Sequence, residues 1–193
     1  MRLEHAPIGS AVVALALGFV AASHYPGGFV WSRDFISELF AAASASGAPN
    51  ASRPWATAAM FFVCASVGVA FWRASRRARS RVQRNLLEIG GIGTAVYGLC
   101  AVTPLHHGLM IGLGLAFFFA ALAGALLLAR SEGARALFWS GASCGALIAM
   151  TAAMYYGGFA SHALALAQKV SMAACWIWVL ALHAAGLRAR VVR

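Results

Sequence analysis

Residues 108–129, GLMIGLGLAFFFAALAGALLLA, run for 22 positions without a charged or hydrogen-bonding side chain. As an α-helix rising about 1.5 Å per residue, this stretch matches the bilayer hydrocarbon core, roughly 30 Å thick. A run of that length reads as a membrane span. Five further apolar stretches, at about 7–24, 54–72, 86–105, 136–160 and 163–187, have similar length. A chain of 193 residues that is 62% hydrophobic and only 10% charged has no second, soluble unit to set beside them. The expectation is therefore one all-α domain over residues 1–193, a polytopic integral membrane protein built as a six-transmembrane-helix bundle. The first stretch also has the form of a signal peptide, Arg2 preceding an apolar run that ends in Val20-Ala-Ala22. An even number of spans fits the charge pattern better, so it is read as a helix.

That pattern fixes an expected orientation. With six spans, 12 of the 14 arginines fall on one side: Arg2, the run from Arg73 to Arg84, Arg130, Arg135, Arg188, Arg190 and Arg193. Only Arg33 and Arg53 fall opposite. The positive-inside rule then places both termini in the cytoplasm, with the chain in an inner membrane. The net charge of +10 is thereby explained by topology, and nucleic acid is excluded as a partner because the arginines sit in connectors and form no single basic face. Cys64, Cys100, Cys144 and Cys175 all lie inside apolar stretches without metal-type spacing and read as small buried hydrophobes. No P-loop, dinucleotide fingerprint, Cys-x-x-Cys pair or repeat is present, which disfavours ATP-driven and nicotinamide chemistry.

Small residues are expected to hold the helices together, since lipid offers no hydrophobic drive between them. Gly90, Gly91 and Gly93, Gly108 and Gly112, and Gly141 and Gly145 are the candidates. Trp31, Trp55, Tyr155 and Tyr156 fall at the outer interface and Trp72 and Trp139 at the inner one, as aromatic belts require. Trp176 and Trp178 lie near the middle of the last helix, where an indole N–H needs a partner, so at least one should face the bundle or a bound lipid.

The polar residues sort by side. The outer rim collects His24, Asp34, Ser37, Glu38, His106, His107 and His162, while Glu88 on the inner side is expected to pair with a nearby arginine. Lys169, the only lysine, follows Gln168 and sits about 10 Å into the last helix at 1.5 Å per residue. A charge within a membrane helix costs on the order of 2.5–3.5 kcal/mol at its centre, so it marks a site unless the long stem merely carries the ammonium to the headgroups. The one long connector holds SRDFISELF, in which Ser32 can cap a short interfacial helix over about 32–43. Phe35, Ile36, Leu39 and Phe40 form its apolar side; Arg33, Asp34, Ser37 and Glu38 form the other. Facing lipid, such a helix is an anchor. Folded over the bundle, it brings Asp34 or Glu38 toward Lys169, directly or through one water, and builds an outer-facing polar pocket.

Three segments carry a resemblance: DFISELF after the first helix, TPLHHGLMIGLGLAFFF at the fourth, and LAQKVSMAACWIWVL in the sixth. They resemble the bacterial six-helix family called domain of unknown function 998. They are also similar to DRAM-like autophagy modulators and FRAG-like proteins of GPI-anchor remodelling, which share an F-I-S-D/E signature. The continuation ELFAAASASGAPN differs from the Gly-Thr type of the DRAM-like branch. The resemblance implies a six-helix fold and marks Ser37 and Glu38, His106 or His107, and the Gln168–Lys169 pair.

Three functions fit these residues. A lipid- or amphiphile-binding protein that remodels or moves lipid would use Asp34, Ser37, Glu38, His106, His107, His162, Gln168 and Lys169 for a headgroup and Trp176 for a tail. An accessory or scaffold subunit would instead use its glycine-rich faces for other membrane subunits. A metal-dependent hydrolase would hold zinc by His106, His107 and His162 and activate a water on it.

Overall fold

The computed structural model describes residues 5–44, 46–102 and 107–191. Within them the chain forms six α-helices: α1 (Ala6–Ser23), α2 (Arg53–Ser75), α3 (Arg81–Cys100), α4 (His107–Ser131), α5 (Arg135–Gly157) and α6 (Ser161–Val191). A short 3-10 helix, Ile36–Phe40, lies between α1 and α2. Pro7 and Pro54 occupy the opening positions of α1 and α2, where a missing amide costs nothing. The tight link from α4 to α5 turns at Gly133 (φ 71°), and Gly158 (φ 66°) closes α5, both in left-handed backbone that favours glycine.

Five helices, α1, α2, α4, α5 and α6, are long and apolar enough to cross a membrane, and the chain is an integral membrane protein. The remaining helix, α3, starts at Arg81 rather than near 86 because Ser80 caps it, its hydroxyl accepting from the Gln83 amide at 3.1 Å. Its opening turns therefore carry Arg81, Gln83, Arg84 and Glu88. Beyond them Ile89, Ile92 and Val96 are exposed along one face.

Each of α2 to α6 packs on the next, and α6 returns to α2, so these five helices close a ring; α1 lies outside it, mainly against α2. The half of the ring nearer the arginine-rich connectors is filled by a core that includes Phe71, Leu87, Phe118, Leu122, Trp178 and Leu182. Glycines set the closest approaches. A Cβ at Gly90 would lie 2.5 Å from the Ala121 backbone nitrogen, and one at Gly93 would lie 2.2 Å from the Phe117 ring, so α3 and α4 pack almost backbone to backbone. Gly141 makes room for the Trp178 ring, whose indole N–H donates to the Leu137 carbonyl at 2.9 Å. Trp176 donates to the Ser66 hydroxyl at 3.3 Å, and Ser66 in turn to the Pro7 carbonyl at 2.9 Å, tying α6, α2 and α1 together. The expected packing role fails at Gly108 and Gly112. Among the described residues, no atom beyond the local helix backbone lies within 4 Å of a Cβ at Gly108, and only the Tyr156 hydroxyl reaches Gly112, at 4.0 Å. Where α4 and α5 do pack closely, it is at Gly145 and Leu122.

The arginine-rich end is closed by Arg77, which pairs with Glu132 and donates to the Leu182 carbonyl at 3.1 Å. Glu88 takes the Ser75 hydroxyl at 2.8 Å, and among the described residues no ion pair joins it to an arginine. The opposite end is covered by the connector between α1 and α2. An interfacial helix over 32–43 is replaced by a turn and one 3-10 turn. Asp34 accepts from the Val30 amide at 2.7 Å and from Arg33 Nε at 2.8 Å, which completes a turn over 30–34, and Phe35 is then extended (φ −78°, ψ 147°). Ser32 is thus cut off from the helix it was expected to cap.

Candidate functional site

Under that connector, between the helices of the ring, lies a partly open cavity of about 430 Å³. Phe35, Ile36, Ser37 and Phe40 form its cover, and α2 to α6 form its walls, with Val63 and Val67, Ala95 and Gly98, Leu115 and Phe118, Ile148 and Ala152, and Leu164 and Met172 among the lining residues. No residue of α1 lines it. The apolar side of the 3-10 segment thus faces the bundle: Leu39 is buried with Ala21, Tyr25 and Ala56, while Phe35, Ile36 and Phe40 close the cavity. The anchor alternative required the opposite orientation.

Polar contacts strap the cover down from two directions. From the start of α2, the buried Asn50 side chain donates to the Glu38 and Ala41 carbonyls at 2.9 and 3.0 Å, and Ser52 donates to the Leu39 carbonyl at 3.0 Å. From α6, the Gln168 side-chain oxygen accepts from the Ile36 amide at 3.1 Å. The Lys169 amine donates to the Asp34 main-chain carbonyl and to that of Ala165, the latter at 3.1 Å, and lies 5.5 Å from the Phe29 ring centroid. The lysine therefore holds main chain where a carboxylate was expected: among the described residues the ion pairs are Arg33–Asp34 and Arg77–Glu132. Glu38 accepts instead from the Tyr25 hydroxyl at 3.3 Å. Burial works against ionisation of Asp34, but hydrogen bonds from Arg33 and Val30 with the charges of Arg33 and Lys169 hold its carboxyl below the usual range. The contribution of the carboxylate to the turn over 30–34 is accordingly present at neutral pH and lost as pH falls through that lowered value.

Lys169→Met should destabilise the protein by about 1–3 kcal/mol, because the Asp34 carbonyl loses its donor. Since that acceptor is main chain, adding Asp34→Asn and Glu38→Gln should recover nothing. Recovery of stability in the triple variant, measured by unfolding in detergent, would restore the carboxylate pairing.

Of the residues singled out in the sequence, Asp34, Ser37, Glu38, Gln168 and Lys169 are brought together at the cover. Trp176 is half-buried on Ser66 in the wall between α6 and α2 and does not line the cavity. His162 is exposed and lies off the cavity. His106 lies outside the described residues, as does the side chain of His107, with which α4 opens. Among the described residues no three of His, Cys, Asp and Glu gather as a metal ion would require. Sequence reasoning missed Asn50 and Ser52, although Asn-x-Ser just ahead of Pro54 is a recognisable helix-start signal. It also assigned Tyr155 and Tyr156 to the interface alone. They are 54% and 58% exposed, yet both line the cavity.

The fold and site define a class: an all-helical integral membrane protein whose helices surround a covered, mainly apolar cavity. The chain belongs to the family described as protein of unknown function DUF998, whose model matches residues 8–185. No curated protein and no solved structure matches it.

Proposed function

We propose that the protein binds a lipid or other amphiphile in the ring cavity and handles it at the outer leaflet of an inner, cytoplasmic membrane. The cavity carries this reading: its volume of about 430 Å³ falls within the roughly 300–1,000 Å³ of small-molecule sites, and its walls are mostly apolar with a few polar groups near the cover. In lipid, a covered apolar space of that size suits an acyl or isoprenoid chain. Ala152→Phe, which puts a ring into the cavity, should lower the amphiphile retained through mild detergent purification about tenfold without loss of helix content. Equal retention in the variant and the parent protein, read by lipid extraction and mass spectrometry, contradicts the reading.

All six helices cross the membrane in this account. Apart from its polar opening turns, α3 turns Ile89, Ile92 and Val96 outward, which suits lipid. Both termini are cytoplasmic and the cover faces out, because cationic connectors remain inside. Reporters fused after Arg193 and inserted at Gly47 should fall on opposite sides; the same side for both overturns the orientation.

A further inference from the structure

We infer that the amphiphile is uncharged where it meets the protein and carries a hydroxyl or carbonyl head, as in an acylglycerol or a long-chain alcohol, rather than a carboxylate or phosphate. This rests on the amphiphile-binding reading above and adds the chemistry of the head.

Three observations converge on it. Among the described residues, no Asp, Glu, Lys, Arg or His lines the cavity. The charges closest to its cover are occupied elsewhere: Asp34 by Arg33 and the Val30 amide, Glu38 by the Tyr25 hydroxyl, and Lys169 by two main-chain carbonyls. The polar atoms that do line it are neutral and of both kinds. Thr151 and Ser171 donate their hydroxyl protons to the Leu147 and Gln168 carbonyls, at 2.9 and 3.0 Å, and their oxygens lie 3.3 Å apart, so lone pairs remain to accept. The oxygen of the Gln168 side chain is taken by the Ile36 amide, which leaves its NH₂ group to donate. Gln168 and Ser171 are three apart on α6 and so share a face, with Thr151 across from them on α5.

Acceptors and a donor placed within one helical turn suit a hydroxyl, which uses both, or a carbonyl, which uses the donor. A carboxylate or phosphate group can only accept, and it would enter an apolar space without a counter-charge, where its desolvation goes uncompensated.

The test compares heads on one chain. Monoolein, oleyl alcohol, oleate and oleoyl lysophosphatidylglycerol all carry the same eighteen-carbon tail, so titrating each into the purified full chain in detergent at pH 8 isolates the head. Monoolein and oleyl alcohol are expected to bind at least about tenfold more tightly than the two anions, a difference of about 1.4 kcal/mol. Thr151→Val and Ser171→Ala should each weaken monoolein while leaving 1-octadecene, which has no head, unchanged; Thr151 makes no hydrogen bond to the residues of the strap. If oleate or the lysophospholipid binds as tightly as monoolein, the neutral-head inference is overturned and the amphiphile cavity stands. If no probe distinguishes the parent protein from Ala152→Phe, the amphiphile reading itself falls.

Discussion

Gly90→Val is expected to be among the most damaging single substitutions in the bundle, lowering stability by about 3 kcal/mol or more. Overpacking normally costs about 1–3 kcal/mol because side chains give way. Here the obstructing atoms are main chain: a Cβ at residue 90 would lie 2.5 Å from the Ala121 nitrogen, 2.9 Å from its Cα and 2.9 Å from the Phe117 oxygen. No rotamer change relieves that, so α3 and α4 must separate along their closest contact. Gly112→Ala supplies the control, since only the Tyr156 hydroxyl, at 4.0 Å, approaches that position. Alanine there should be neutral or stabilising by up to about 1 kcal/mol through helix propensity. Unfolding both variants in detergent checks the contrast, and similar effects at the two sites would contradict the assigned α3–α4 contact.

The second large effect is expected at Asn50. Its amide nitrogen is shared among the Glu38, Leu39 and Ala41 carbonyls, at 2.9, 3.4 and 3.0 Å, and its oxygen takes the Ser52 amide and shares the Ser52 hydroxyl proton with the Leu39 carbonyl. Asn50→Leu removes all of these at once from a buried position, and each buried polar group left without a partner costs about 1–3 kcal/mol. The loss is local. Hydrogen exchange over residues 36–44 should accelerate at least about a hundredfold, which is about 2.7 kcal/mol, while α3 and α4 keep their protection. Asn50→Asp should behave similarly, because a carboxylate cannot donate to those carbonyls. Unchanged exchange over the cover would mean that Gln168 and Lys169 hold it without help.

These two sites differ in how far they can be read from the chain itself. Gly90 stands in a cluster with Gly91 and Gly93 on a membrane helix, and small residues at that spacing announce a close approach before any partner is known. The Gln168–Lys169 pair was legible for an equally local reason, that polarity inside an apolar helix is costly. The side chains of DFISELF that turn inward were also marked, since Phe35, Ile36, Leu39 and Phe40 stand apart from the polar residues in a helical period. The period did not reveal that the helix stops after one turn. The carbonyls that would continue it are taken by Asn50 and Ser52, and a local pattern cannot register a competitor ten residues away. The same limit explains Lys169: sequence pairs an ammonium with the nearest carboxylates, but every main-chain carbonyl is an unwritten alternative. Hydropathy alone starts α3 near 86, because arginines end an apolar run, whereas the Ser80 cap extends the helix through them. A cavity leaves even less trace. It arises from how five helices are set around it, and no single side chain encodes an empty space.

The occupant of that space can be located directly. A long-chain amphiphile carrying a diazirine near the middle of its tail, supplied to membranes containing the full chain and photolysed, attaches to whatever side chains surround it. If the cavity holds such a chain, peptide mapping will recover adducts on Val63, Ala95, Ile148 and Met172, which line it, and Ala152→Phe will abolish these while sparing those on the outward stripe of Ile89, Ile92 and Val96. Adducts confined to the outward stripe, with none inside the ring, would contradict the account.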